Sequence, residues 1–493
     1  MSTTITHAHR ATGVPLSLAQ HDLVVLGRIE GSSARGTFAW RFGERGRFLR
    51  ESTGVLGRCF GCDGVNVWLH DVAGRSRVLE LGEDHSARLL SAALSGQWID
   101  PPHDLTVTDT PDTAGGAPHL VLALGHRAAR LQIDSETGDL REFDLGQGFR
   151  REHWTLGDHV TSGGIRYPRT LVRKGPGGPA ETFVVERVAL EPPLPTSGYQ
   201  CPAGGEHTYF DHSIPAELRV DRAPNGFLLV HPRIDGRDAG TFLFDTGAGA
   251  NTIAPQLADG LGLARAGASW LGLAAGQTAA GVRTAGSLAL GPLTIEQPAF
   301  TEMDFGLLSR HAQVEITGII GYDVLARAVV ELELERSRIA LFDPATFELL
   351  GASWQEVAIV GAHPYVKGSF EGHAGWFRLD TGAPQVAITL NRPTIERFHL
   401  LEARTVQNEH ATVPGGEMDI AIGPVADVIV GGHRFEQLTA LFPLESRGAF
   451  DDPYTLGNLG QECLKPFRVV FDYRHRRIAL IDRAQLLVHE RQQ

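Results

Sequence analysis

One nine-residue pattern occurs twice in this chain. Residues 240–248 read GTFLFDTGA and residues 375–383 read GWFRLDTGA, with Gly, Phe, Asp, Thr, Gly and Ala at matching places. A single Asp-Thr-Gly is an ordinary turn, because Asp and Gly both favour turns. Two copies, with Asp245 and Asp380 135 positions apart, call for a longer comparison. IIGYDVLARAVVELELERSRIALFD (319–343) aligns with NLGQECLKPFRVVFDYRHRRIALID (458–482). Gly321 falls on Gly460 and Ile339-Ala340-Leu341 on Ile478-Ala479-Leu480, both at an offset of 139. A whole lobe is therefore repeated, with an Asp-Thr-Gly near its start and a hydrophobic-Gly element near its end. A repeat of this length constrains the architecture before any finer reading.

Two lobes with one Asp each point to a shared site across a pseudo-twofold axis. Two carboxylates held a few ångströms apart resist double ionisation and share one proton. They titrate as a unit. The ionised member takes a proton from water, the protonated member donates to a substrate carbonyl, and a tetrahedral diol forms without a covalent intermediate. Asp245 and Asp380 are thus the candidate catalytic pair. Gly247 and Gly382 permit the turn that presents each carboxylate and offer N–H donors beside it. Thr246 and Thr381 are expected to hydrogen-bond across the lobe junction, and Ala248 and Ala383 complete the two loops. Ile320-Gly321 and Leu459-Gly460 are expected to lay a strand against each Asp loop where only glycine leaves room. Turns at Leu273-Ala274-Ala275-Gly276 and Val413-Pro414-Gly415-Gly416 are candidate flaps; ordinary hairpin turns explain them equally well.

The paired motifs resemble those of aspartic proteases of the pepsin and retroviral type over about residues 218–488. FDTGA followed by IIGYDVL is especially similar to the retroviral lobe. Retroviral enzymes assemble two identical chains, whereas this chain carries both lobes, as pepsin does. The resemblance implies an endopeptidase with an extended cleft for a peptide or protein substrate, with hydrophobic residues favoured around the scissile bond. Pepsin-type enzymes have Ser or Thr after the triplet; here Ala248 and Ala383 stand, as in the retroviral type. Without that hydroxyl the dyad should titrate higher, giving activity at mildly acidic to near-neutral pH. No Tyr marks either flap. Ala383-Pro384-Gln385 and Asn458, where the first lobe has Ile319, mark the second lobe as the more diverged.

Two other readings compete. A peptide- or lipid-binding protein that keeps the fold without turnover has no evident reason to retain both carboxylates. A metal hydrolase would want a His near either motif, and none is there. No cofactor and no metal are expected.

A chain of 493 residues allows two to four domains. The net charge of −13 and the absence of a dense basic run exclude nonspecific nucleic-acid binding. No apolar run reaches the ~18 residues of a membrane helix, so no membrane span is expected. A monomer is expected, since both lobes share one chain. The leader MSTTITHAHRATGVPLSLAQ lacks the apolar stretch of a signal peptide, which favours the cytoplasm, with export as the alternative.

Before the repeat, alternating runs such as GTFAWRF, NVWLHD, HLVLAL, ARLQID, GRSRVLELGE and ETFVVERVAL read as antiparallel strands, with a helix near HSARLLSAALSG. DGVNVWLHDVAGR, GIRYPRTLVRKG, ETFVVERVALEPPLP and a closing YQCP resemble the half-barrel sheets of bacterial lipoprotein carriers, which bind apolar chains; a β-rich accessory or pro-domain is the alternative. Cys59 and Cys62 have CxxC spacing but no second pair, so incidental thiols or a local disulfide fit better than zinc or redox chemistry. His207 and His212 read as linker residues. The expected organisation is mostly β: a flexible leader (1–25), an antiparallel β-rich domain (26–200), a linker (201–217), and two tandem retropepsin-like acid-protease lobes (218–350 and 351–493).

Overall fold

The computed structural model describes all residues except 1–17, 19, 32–34, 111–118, 177–179, 203–206, 403 and 483–493. It is mostly β, with 51% strand and 12% helix, as the alternating patterns require. The chain divides into two compact units, one of residues 1–205 with 267–270, the other of residues 206–266 with 271–493. No helix among the described residues is long and apolar enough to cross a membrane. Most of the expected leader lies outside the described residues, but Asp22–Val25 already belong to the first strand.

In the first unit, thirteen strands form one antiparallel sheet in which each strand pairs with its neighbour in sequence. The first strand, Asp22–Gly31, pairs with the last, Glu181–Glu191, and so joins the two meanders. That pairing shifts register at Leu26/Gly27, where a Cβ on Gly27 would stand 2.1 Å from the Val184 carbonyl oxygen. One face carries Phe38, Trp40, Phe143, Trp154 and Phe183 in mutual ring contact. The helix Glu83–Ser95 buries Leu89, Leu90 and Leu94 in the same core and stops at Gly96, whose φ of +74° is a left-handed helix end. GRSRVLELGE is a strand only over Ser76–Val78, because Gly82 turns at φ +83° and Glu83 opens the helix. Cys59 and Cys62 share the strand Arg58–Cys62, where residues three apart face opposite sides, and both thiols are free. Burial, reinforced by Glu51, pushes the Cys59 thiol up to about 12.

The second unit repeats one pattern of pairings. The strand Phe242–Phe244 leads into the first Asp loop, and Thr252–Ile253 leaves it. Gly318–Ile320 inserts between them, parallel to the former and antiparallel to the latter. Likewise Gly457–Leu459 inserts between His373–Leu379 and Ile388–Leu390 with the same polarities. A short helix follows each insertion, Tyr322–Leu325 and Gln461–Leu464. The region anticipated as a linker contributes a strand, Thr208–Phe210, which pairs with Leu293–Ile295.

Each late segment ends in a hairpin, and the two hairpins do not stay in their own halves. Val329–Glu333 pairs with Phe467–Asp472 in an antiparallel ladder, Val329 opposite Asp472 and Glu333 opposite Arg468. Together with Arg338–Phe342 and Arg477–Asp482 they form four adjacent strands, drawn from both lobes, at one end of a twelve-stranded sheet that continues into Trp354–Val360. The core of this sheet is Val329, Val470 and Ala479, all buried.

Candidate active site

The two Asp loops meet back to back. Thr246 N–H donates to Thr381 Oγ1 at 2.9 Å, and Thr381 N–H donates to Thr246 Oγ1 at 3.1 Å. Each hydroxyl then donates to a carbonyl of the opposite lobe, Thr246 to Leu379 at 2.9 Å and Thr381 to Phe244 at 3.3 Å. Both threonines are buried, so three polar groups on each side of the junction depend on this lattice. It fixes the relative position of the residues one step away, Asp245 and Asp380.

Those two carboxylates face each other across the glycines. A Cβ on Gly247 would lie 2.4 Å from Asp380 Oδ1, and a Cβ on Gly382 would lie 2.4 Å from Asp245 Oδ2. Neither position has room for any side chain. Gly247 N–H and Gly382 N–H both donate to Asp245 Oδ1, at 2.7 and 2.9 Å. Burial, and next the Asp380 carboxylate, push Asp245 up to about 7 against the pull of those N–H groups and Arg378.

The inserted strands hold the loops from behind. Asp245 N–H donates to the Ile320 carbonyl at 3.0 Å, and Asp380 N–H to the Leu459 carbonyl at 2.9 Å. Past these strands the backbone runs so close to the loops that a Cβ on Gly321 would meet the Ala248 and Ala250 carbonyl oxygens at 2.6 Å each. A Cβ on Gly460 would meet the Val386 and Ala383 oxygens at 2.4 and 2.8 Å. Tyr322 N–H then donates to the Ala248 carbonyl and Gln461 N–H to the Ala383 carbonyl, each at 3.0 Å.

The two glycine-bearing turns are the tips of hairpins. Ala274–Ala275 joins Ala264–Leu273 to Gly276–Thr284, and Pro414–Gly415 joins Gln407–Val413 to Gly416–Val430. Their tips touch: Ala275 N–H donates to the Pro414 carbonyl at 3.1 Å. Gly415, at φ +94°, packs where a Cβ would stand 2.9 Å from Leu273 Cβ.

Reading the sequence alone missed the polar groups behind Asp380. Asn458 Nδ2 donates to Asp380 Oδ2 at 2.9 Å, and Arg378 Nε donates to Asn458 Oδ1 at 2.9 Å. Arg378 Nη2 also stands 3.9 Å from Asp380 Oδ2. Arg378 and Asn458 are directly opposite in the parallel pairing of their strands. Gln461 Nε2, buried, donates to the Thr381 carbonyl at 2.7 Å. The signal was present: in the alignment of the two copies these places hold Leu243, Ile319 and Tyr322 in the first lobe. His207 and His212 lie away from the dyad, beside Glu296 and Asp343. Among the described residues no group of three or more His, Cys, Asp and Glu is placed to hold a metal ion.

Comparison with known proteins agrees on the first lobe. Residues 230–324 match the family model described as aspartyl protease, a stretch that includes Asp245 and Gly321. This is an aspartyl-protease-like region. No curated protein matches the chain. Among solved structures, a retropepsin-like aspartic protease from Rickettsia conorii is similar at 20% identity over 26% of this chain and 98% of its own, with a TM-score of 0.21. A LolA superfamily protein from Nitrosomonas europaea is similar at 10% identity over 41% of this chain and 98% of its own, TM-score 0.30. A DUF1329 family protein from Desulfovibrio piger is similar at 12% identity over 40% and 95%, TM-score 0.27.

Proposed function

We propose that this chain is an aspartic endopeptidase that hydrolyses peptide bonds with water activated between Asp245 and Asp380. The observation that carries the reading is the pair of carboxylates, each set over the other lobe's glycine and locked by reciprocal threonine bonds. One carboxylate, ionised, removes a proton from a water bound between the two. The water oxygen attacks the scissile carbonyl carbon, and the protonated carboxylate gives its proton to the carbonyl oxygen. The diol collapses as the amide nitrogen is protonated by the first carboxylate, and the second recovers its proton. Preorganised N–H groups on Asp245 spare the site reorganisation during the reaction.

The hairpin tips joined at Ala275 and Pro414 supply a cover under which an extended peptide is held. Binding in that form places backbone groups of the substrate against strand edges and side chains in alternating directions. The test is cleavage of casein between pH 3 and pH 8 by the wild type, Asp245→Asn and Asp380→Asn, with and without a statine-type transition-state analogue. Loss of cleavage in both variants and inhibition by the analogue is the expected result. Cleavage that survives in either variant would remove the shared dyad.

A further inference from the structure

The two halves of the site differ in their electrostatics. Both carboxylates accept N–H bonds, but the donors are not equivalent. Asp245 accepts two neutral backbone N–H groups on a single oxygen, Oδ1, which leaves Oδ2 able to carry a proton. A protonated carboxyl whose carbonyl oxygen accepts those bonds satisfies every group. Asp380 has the Arg378 guanidinium, itself mostly buried, 3.9 Å from its Oδ2; the same charge also reaches Asp245, but Asp380 alone receives the Asn458 amide as well. Arg378 also dictates what Asn458 does. An amide presents either its oxygen or its NH2 group to a neighbour. Because Arg378 has only donors, Asn458 must turn its oxygen to Arg378 and its NH2 to Asp380. A donor at that distance favours the ionised carboxylate and offers nothing to the acid proton. The equivalent places in the first lobe, Leu243 and Ile319, are apolar and can do neither.

We infer that the site is functionally asymmetric: Asp380 is the ionised member that takes the proton from water, Asp245 is the acid, and Arg378 is the positioning residue that fixes this order through Asn458. The inference rests on the peptidase reading above. Ionisable groups described around the pair include Arg378 on the strand before Asp380, each carboxylate for the other, His363 beside Gly249 of the first loop, and Tyr473, which lies next to Tyr322 and whose phenol burial drives well above its usual range and keeps neutral. Arg378 acts on both carboxylates, and its bond to Asn458 directs a further donor to Asp380. The burial that raises Asp245 acts in the same direction.

The experiment has two arms on the full chain. In the first, kcat/KM for a fluorogenic peptide cut from the casein digest is measured against pH for the wild type, Arg378→Leu and Arg378→Lys. Arg378→Leu gives the second lobe the first lobe's residue. Its acid limb, which reports the ionised carboxylate, moves up by one pH unit or more, and Arg378→Lys recovers at least half of that shift. An acid limb unchanged in Arg378→Leu overturns the inference, and so does a shift that Arg378→Lys fails to recover. In the second arm, carboxyl carbons of 13C-aspartate-labelled wild type are titrated by NMR and assigned with Asp245→Asn and Asp380→Asn. Asp380 ionising at lower pH than Asp245 supports the charge order; the reverse overturns it. This arm needs no turnover and reads the order even if Arg378→Leu does not fold. If the wild type cleaves nothing at any pH while Asp380 still ionises first, the peptidase reading fails and the charge order stands.

Discussion

Asp245→Asn should stabilise the protein, and more so as pH rises. In the folded chain Asp245 is pushed up to about 7, against about 3.9 in an unfolded chain. A carboxyl raised in this way keeps its proton in the native state after the unfolded state has lost it, so stability falls as pH rises from about 4 through about 7. Integrating the two titrations gives a cost of about 1–2 kcal/mol at pH 5 and about 4 kcal/mol at pH 8. Asparagine keeps an acceptor oxygen for the Gly247 and Gly382 N–H groups and removes the like charge facing Asp380. The gain from the substitution is therefore about 2–3 kcal/mol larger at pH 8 than at pH 5, or about 5 °C in Tm for a unit of this size. Thermal melts of both proteins at the two pH values, in matched ionic strength, measure it. A Tm difference that is the same at pH 5 and pH 8, or a variant less stable at pH 8, refutes the reasoning.

The same titration sets the upper end of activity: kcat/KM falls as pH rises through about 7, because Asp245 must carry the proton it donates; a rate that holds to pH 9 would contradict this. Thr381→Val leaves the buried Thr246 N–H without its acceptor and costs about 1–3 kcal/mol, whereas Thr381→Ser keeps the hydroxyl; equal melting of the two variants would show that the bond contributes nothing. Gly321→Ala drives a methyl against two backbone oxygens and costs about 3 kcal/mol or more. Gly260→Ala, which meets open space, is the control, and urea midpoints distinguish them.

The two facing Asp loops were legible because every element of them is short and local. Asp-Thr-Gly fits in one turn, and the hydrophobic-Gly element is a strand end that only glycine can occupy, so two copies at near-constant spacing identify both. The strands of the first unit were legible from alternation, and the helix after Gly82 from its apolar spacing. What escaped is non-local. Arg378 and Asn458 meet because two strands lie parallel in register, 80 positions apart in sequence; from the sequence they were only places where the copies disagree. That disagreement read as loss of character in the second lobe, when it is the source of a charged partner for Asp380. The strand Thr208–Phe210 was hidden by its Pro- and Gly-rich surroundings, and its register is set by Leu293–Ile295, far along the chain.

The sheet shared by the two lobes has a consequence for how the molecule comes into being. Val329–Glu333 is bonded to Phe467–Asp472, its own counterpart in the repeat. During synthesis at about 5–20 residues per second, the first of these strands waits roughly seven to thirty seconds for the second. Through that interval an apolar strand has an open edge, the kind of surface on which chains associate wrongly. The threonine lattice and the facing carboxylates wait as well, since half of each arrives late. A nascent chain of this protein therefore carries the first Asp loop without the carboxylate that faces it, and the pair is completed only when the second copy of the motif has been made.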